Sequence, residues 1–175
     1  MAHILTPLPL TSTNFAPFGD VVEARGQPRE KVMSINYGQT ERYHDLAAID
    51  VSTAGGQVLV NIFRSTPLAL PTPSGKYPCG IKIEIMERHP LSSQMFMPLS
   101  SNPYLVVVAP KGGFDESKIK VFLASPDQGV NYHAGTWHHY SLALDAVSDF
   151  LVIDRGGDGD NCDEVTLKQP ITITV

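Results

Sequence analysis

The chain has 175 residues, 42% of them hydrophobic and 18% charged, with a net charge of −5 and a pI near 5.6. That length is enough for one domain with a real core, and the composition excludes a disordered chain. An acidic balance with no block of five like charges excludes the electrostatic footprint of a nucleic-acid or anionic-membrane partner.

The opening stretch Met1–Leu10 lacks a basic start and is cut by Pro7 and Pro9, so it does not read as a signal peptide. No stretch approaches ~18 apolar residues. Cys79 and Cys162 form neither a disulfide framework nor a zinc knuckle, which predicts a reducing, cytoplasmic setting and no part for either thiol in chemistry. The 14 glycines and 14 prolines, spread along the chain, favour many short strands joined by turns.

In chain order, Thr11–Phe15 reads as a capped short helix, broken by Pro17 and Gly19, and 20–23 as a strand. Residues 31–37 form a second strand closed by Gly38. The polar, aromatic run 40–46 reads as a short helix or ordered loop, with His44 and Asp45 solvated or capping. In 57–64 the residues Val58, Val60 and Ile62 share a face that Arg64 continues, and that face is expected to point inward. Ile81, Ile83 and Ile85 alternate with Lys82, Glu84 and Met86, and their face runs on into Glu87 and His89. Pro90 ends that strand and 94–98 starts another.

Tyr104–Ala109 is an apolar run that fits a strand buried on both sides. Residues 118–123 alternate with the apolar residues at odd positions. In 129–144 two glycines, three histidines and the only tryptophan precede a strand whose His138, Tyr140, Leu142 and Leu144 share an inward face. Phe150–Arg155 is a further apolar strand, and 171–175 is expected to pair at a sheet edge. The count is nine to eleven strands in one domain spanning 1–175, an all-β barrel or jelly roll with a few short helices.

The acidic, glycine-rich run 154–164 fails the EF-hand spacing, because Cys162 stands where a third oxygen ligand belongs, and it reads as a solvated turn. No phosphate-binding loop and no Gly-x-Ser-x-Gly elbow appears. What remains is Arg64, Glu87, His89 and His138, with Gln94 just past the proline. Strand directions that gather these groups at one open end predict a reaction centre. Glu and His exchange protons near neutral pH when their surroundings shift them. Two histidines and a carboxylate also make an open divalent-metal set, and an arginine grips a carboxylate in bidentate fashion. The reading is a small anionic substrate handled by acid–base or metal-assisted chemistry.

These residues carry a resemblance. The cupin first motif, His-x-His-x4-Glu, is matched by Glu87-x-His89 and Gln94, and the second by His133-x-Gly135-x-x-His138, so two of the four usual ligand positions differ. Arg42–Leu46, Glu87–Leu91 with Gln94, Gly129–His133, Trp137–His139, Phe150–Arg155 and Asn161–Glu164 resemble the ureidoglycolate lyase family, also called ureidoglycolate hydrolase, within the cupin superfamily. The resemblance implies a cupin-like antiparallel β-barrel and a homodimer that cleaves ureidoglycolate to urea and glyoxylate, late in allantoin breakdown. It also implies a divalent metal, nickel, and no organic cofactor. On that basis His89 and His138 share the acid and base roles, in an order the sequence leaves open, with Glu87 orienting or tuning one of them. Gln94 is expected to bond the urea amide. Arg64, or in reserve Arg155, is expected to hold the carboxylate. If a metal is bound, His89, Gln94 and His138 are its ligands. The rival readings are a metal-dependent cupin of another class acting on a small carboxylic acid, and a non-catalytic ligand-binding cupin.

Overall fold

The computed structural model describes residues 3–53, 55–72 and 79–175. Among these the strands are β1 (His3–Leu5), β2 (Leu8–Pro9), β3 (Gly19–Val22), β4 (Val32–Ile35), β5 (Thr40–Tyr43), β6 (Gln57–Ser65), β7 (Ile81–Arg88) and β8 (Gln94–Pro98). They continue as β9 (Tyr104–Ala109), β10 (Lys120–Ala124), β11 (Gly129–Tyr132), β12 (Trp137–His138), β13 (Leu142–Ala143), β14 (Ser148–Gly156) and β15 (Asp163–Ile173). An eight-stranded sheet runs β1-β15-β7-β12-β9-β10-β2 with β13 added to β9, and a five-stranded sheet runs β3-β11-β8-β14-β6. The fold is all-β and cupin-like. Its pairings are antiparallel except β1 with β15 and β2 with β10, which are parallel.

Among the described residues helix is confined to one turn, α1 (Ser12–Phe15), and three 3-10 turns. The Thr11 hydroxyl accepts from the Asn14 amide, the cap that the sequence announces. The run expected to be helix or loop after Gly38 is instead β5, which pairs with β4 through a tight turn at Asn36–Gly38. The strand foreseen over 31–37 therefore stops at Ile35.

The core lies on both faces of the larger sheet. Tyr104, Val106, Val108 and Phe122 meet Phe96, Val130, Tyr132, Phe150 and Val152 of the smaller sheet across the barrel interior. Leu105, Val107 and Val121 pack on the other face with Ile81, Ile83, Met86 and Ile171. The double burial of β9 explains its unbroken apolar run. It also corrects the alternation expected in β10, where Phe122 is buried and Leu123 exposed. Edge-to-face contacts of Phe15, Phe122, Phe150 and Tyr104 fill the interior.

Four further expectations are corrected. Val58, Val60 and Ile62 of β6 face outward and are more than half exposed, so the inward residues are Leu59, Asn61 and Phe63. Met86 packs with Ile81 and Ile83, so the alternation of β7 slips near Glu84–Ile85, opposite an irregularity in β15. The strand expected from His138 to Leu144 is split into β12 and β13, and the Tyr140 between them is exposed. The C-terminal strand is no edge, since β15 pairs with β7 on one side and β1 on the other.

Candidate active site

Glu87 of β7 and His138 of β12 are register partners on adjacent strands, so their side chains share a face. His89, two residues past Glu87, returns to that face. Its carbonyl accepts from the Gly135 amide, which ties the end of β7 to the turn that leads into β12. The structure brings ligand-type atoms of Glu87, His89 and His138 within 4.8 Å of one another. The two imidazoles lie 5.2 Å apart between centroids. Tyr132 of β11 stacks on the His138 ring at 4.3 Å with planes 1° apart, which fixes the ring's orientation.

The hydrogen bonds assign the protons. His138 Nδ1 lies 3.2 Å from the His139 carbonyl, and His89 Nδ1 bonds the Asn161 carbonyl. A carbonyl oxygen only accepts, so both Nδ1 atoms carry hydrogen, and Nε2 is the nitrogen left in each ring to take a proton or a ligand. Both Nε2 atoms are buried without a hydrogen-bond partner among the described residues, and so is the Gln94 side-chain oxygen. Burial, reinforced by His89, pushes His138 down to about 3, so this imidazole is neutral at ordinary pH. Its Nδ1 is 3.7 Å from a Glu87 oxygen, but the neutral ring makes that contact no ion pair and the distance is too long for a hydrogen bond. Burial raises Glu87, opposed by His89 and aided by Glu164.

A cavity of about 320 Å³ opens at this point, lined by His89, Gln94, Asp154, Arg155, Asn161 and Cys162 among others. Of Glu87, His89 and His138, only His89 lines it; hollows of about 550 and 540 Å³ lie elsewhere, around His133 and around Tyr140, and are lined by none of the three. Gln94 of β8 is flanked in register by Tyr132. Arg155 threads past Gly56, where an added Cβ would come within 2.5 Å of its side chain, and its Nη2 donates to the Asp158 carbonyl at 2.9 Å.

The structure does not bring Arg64 to this cavity. Arg64 lies on the outward face of β6, largely exposed, and forms a bidentate pair with Asp149 at 2.8 and 2.9 Å. The inward placement failed because β6 is apolar on both faces, so hydropathy alone does not choose between them. Cys162, placed apart from the chemistry by sequence, lines the cavity wall, whereas Cys79 does not. Asp154 was missed. It continues the inward face of Phe150 and Val152 and accepts from Asn61 Nδ2 at 3.0 Å. Carrying that alternation two residues further would have found it. Asn161, read as part of a solvated turn, bonds the Leu91 amide and Ser92 besides the His89 ring.

The donor set suits a divalent cation. Two imidazole nitrogens and an amide oxygen, all buried and lacking hydrogen-bond partners among the described residues, are the borderline donors such ions take, and each imidazole donates its other N–H to a carbonyl as ligating histidines do.

Comparison with known proteins gives a consistent result. The chain matches the family described as ureidoglycolate lyase over residues 2–174. It is 51% identical over 166 residues to a ureidoglycolate lyase of Burkholderia mallei (strain NCTC 10229), covering 95% of this chain and 91% of that one. A ureidoglycolate lyase of Brucella ovis is 49% identical, with 91% and 88% covered. One from Agrobacterium fabrum is 45% identical, with 99% and 97% covered.

Proposed function

We propose that this chain, which belongs to the ureidoglycolate lyase family, cleaves ureidoglycolate to glyoxylate and urea. The single observation that carries the chemistry is the Glu87–His89–His138 cluster, its ligand-type atoms within 4.8 Å of one another and its carboxyl raised by burial, joined through His89 to the cavity that Gln94 lines.

Ureidoglycolate carries a hydroxyl, a ureido nitrogen and a carboxylate on one carbon. Elimination removes the hydroxyl proton, forms the carbonyl, breaks the carbon–nitrogen bond and returns a proton to the departing nitrogen. In this reading Glu87 moves that proton, taking it from the hydroxyl and giving it to nitrogen, so the enzyme ends as it began. A neutral His138 has no acidic proton to offer at ordinary pH, which argues against the acid role first assigned to a histidine. His89, His138 and Gln94 would hold a divalent cation, nickel by family resemblance. Such an ion supplies Lewis-acid polarisation of a bound oxygen. Arg155, rather than Arg64, grips the carboxylate, because it lines the cavity. Asn161 and Tyr132 keep the two imidazoles oriented.

Around this centre, residues 1–175 act as one cytoplasmic catalytic domain in allantoin degradation, consistent with two free cysteines. No described helix is long and apolar enough to cross a membrane. A homodimer is supported by the outer face of the smaller sheet. There Val58, Val60 and Ile62 are exposed beside Leu151 and Ile153, an apolar stripe that a second copy would cover. Light scattering near twice 19.0 kDa, falling to 19.0 kDa in Ile62→Glu, tests it.

The deciding assay is product analysis. Purified protein given ureidoglycolate should release glyoxylate and urea in equal amounts. Ammonia in place of urea would make it a hydrolase, and no glyoxylate would favour a non-catalytic binding protein.

A further inference from the structure

Gln94 stands where a cation-binding carboxylate would be symmetric, and an amide is not. One end of the group is an acceptor and the other a donor, so only one of its two flips offers oxygen to the cavity. What selects the flip lies on the neighbouring strand. The register pairs Ile153 with Met95, so Asp154 lies directly across from Gln94 on the inward face. A carboxylate only accepts, so it draws the Gln94 amide nitrogen rather than its oxygen; burial raises the Asp154 carboxyl, and Asn61 and Gln94 as donors oppose that rise. Asp154 is itself held by Asn61 Nδ2 at 3.0 Å, a residue of β6 that points inward among apolar neighbours. The opposite end of the amide, the Gln94 oxygen, is buried without a partner among the described residues, like the two histidine Nε2 atoms.

We infer that Asp154, braced by Asn61, is a positioning residue that locks the Gln94 amide with its oxygen towards His89 and His138, completing a three-lone-pair site for a divalent cation. The inference rests on the cation reading proposed above and assigns residues outside the ligand set. Without Asp154 the amide is free to turn its NH2 to the cation, which repels it. Partners of this kind change metal affinity by about 10- to 100-fold when removed.

The test is calorimetric titration of metal-stripped protein with nickel ion, which reads binding without turnover. Wild type should bind one ion per chain, and Asp154→Leu should bind it about 10- to 100-fold more weakly. The double variant Asp154→Leu/Gln94→Glu should recover wild-type affinity, because a carboxylate presents oxygen in either flip. General damage at position 154 would not be repaired by a change at 94. Thermal melts check that each variant folds, and Asp154→Ala carries the same expectation if the leucine is not tolerated. Equal binding by wild type and Asp154→Leu, or a double variant as weak as the single, overturns this inference alone. Wild type that takes up no nickel overturns the cation reading and this inference together.

Discussion

Arg88 is the strongest test of how the fold holds the reaction centre. It immediately precedes His89 and follows Glu87, and its guanidinium ties three segments together. Nε and Nη2 each lie 2.7 Å from an Asp163 oxygen of β15, and Nη1 donates to the Gly112 carbonyl at 2.9 Å. The same carbonyl accepts from Trp137 Nε1 at 3.0 Å, and the guanidinium lies 4.6 Å over the Trp137 ring. The neighbours of both partners are Glu87 and His138, so the clamp sets their pairing. At 27% exposure the ion pair contributes about 1 kcal/mol, the carbonyl bond about 1 and the cation–π contact about 0.5–1. Arg88→Ala should therefore cost about 2–3 kcal/mol, a fall in Tm of roughly 5–10 °C for a chain of this size. It should also lower kcat by at least ~10-fold, because small misplacements of reacting groups are costly. Arg88→Lys keeps the charge, loses the fork and should fall between. Calorimetric melts and glyoxylate release measure both. A loss below about 0.5 kcal/mol with unchanged kcat would refute the clamp.

Other outcomes follow from the same geometry. Arg155→Lys should raise KM by roughly 10- to 100-fold, whereas Arg64→Ala should leave both kinetic constants within a few-fold, and the reverse pattern would put the substrate carboxylate on the outer face. Glu87→Gln should lower kcat by ~10²–10⁴-fold while nickel still binds in titration, and loss of the metal with the activity would make Glu87 a ligand. Cys162→Ser should be mild, but a bulky maleimide should slow wild type and not that variant, since Cys162 lines the cavity. Phe150→Ala should cost about 3–5 kcal/mol in urea unfolding, because its ring is fully enclosed between Tyr104 and Phe96, and a loss below 1 kcal/mol would contradict that packing.

What the sequence made legible were the features set by local rules. The Thr11 cap, the strands β7, β9 and β14 and the short turns all follow from neighbours in the chain. Glu87, His89 and His138 were singled out as polar groups on apolar faces. The structure brings them together although β7 slips before Glu87 and His138 faces Tyr132 rather than the core of Leu142 and Leu144. The failures have a common cause, which is a strand whose two faces hydropathy does not tell apart. In β6 both faces are apolar, and the inward choice of Leu59, Asn61 and Phe63 is made by Phe96 and Asp154, far away in sequence. In 138–144 the chain breaks between β12 and β13, so His139 is as buried as Leu142 while Tyr140 is exposed, and the periodicity carries no direction. Asp154 was absorbed into an acidic turn by its company, although its own strand already held the answer.

The account stands most directly on His138. Replacing it with Asn removes one Nε2 lone pair while leaving a small polar group beside Tyr132. Glyoxylate release by purified His138→Asn, compared with wild type of matched thermal stability, is the decisive measurement. The account predicts a fall in kcat of ~10²–10⁴-fold together with loss of bound nickel. Wild-type turnover in that variant would contradict it and move the reaction out of this cavity.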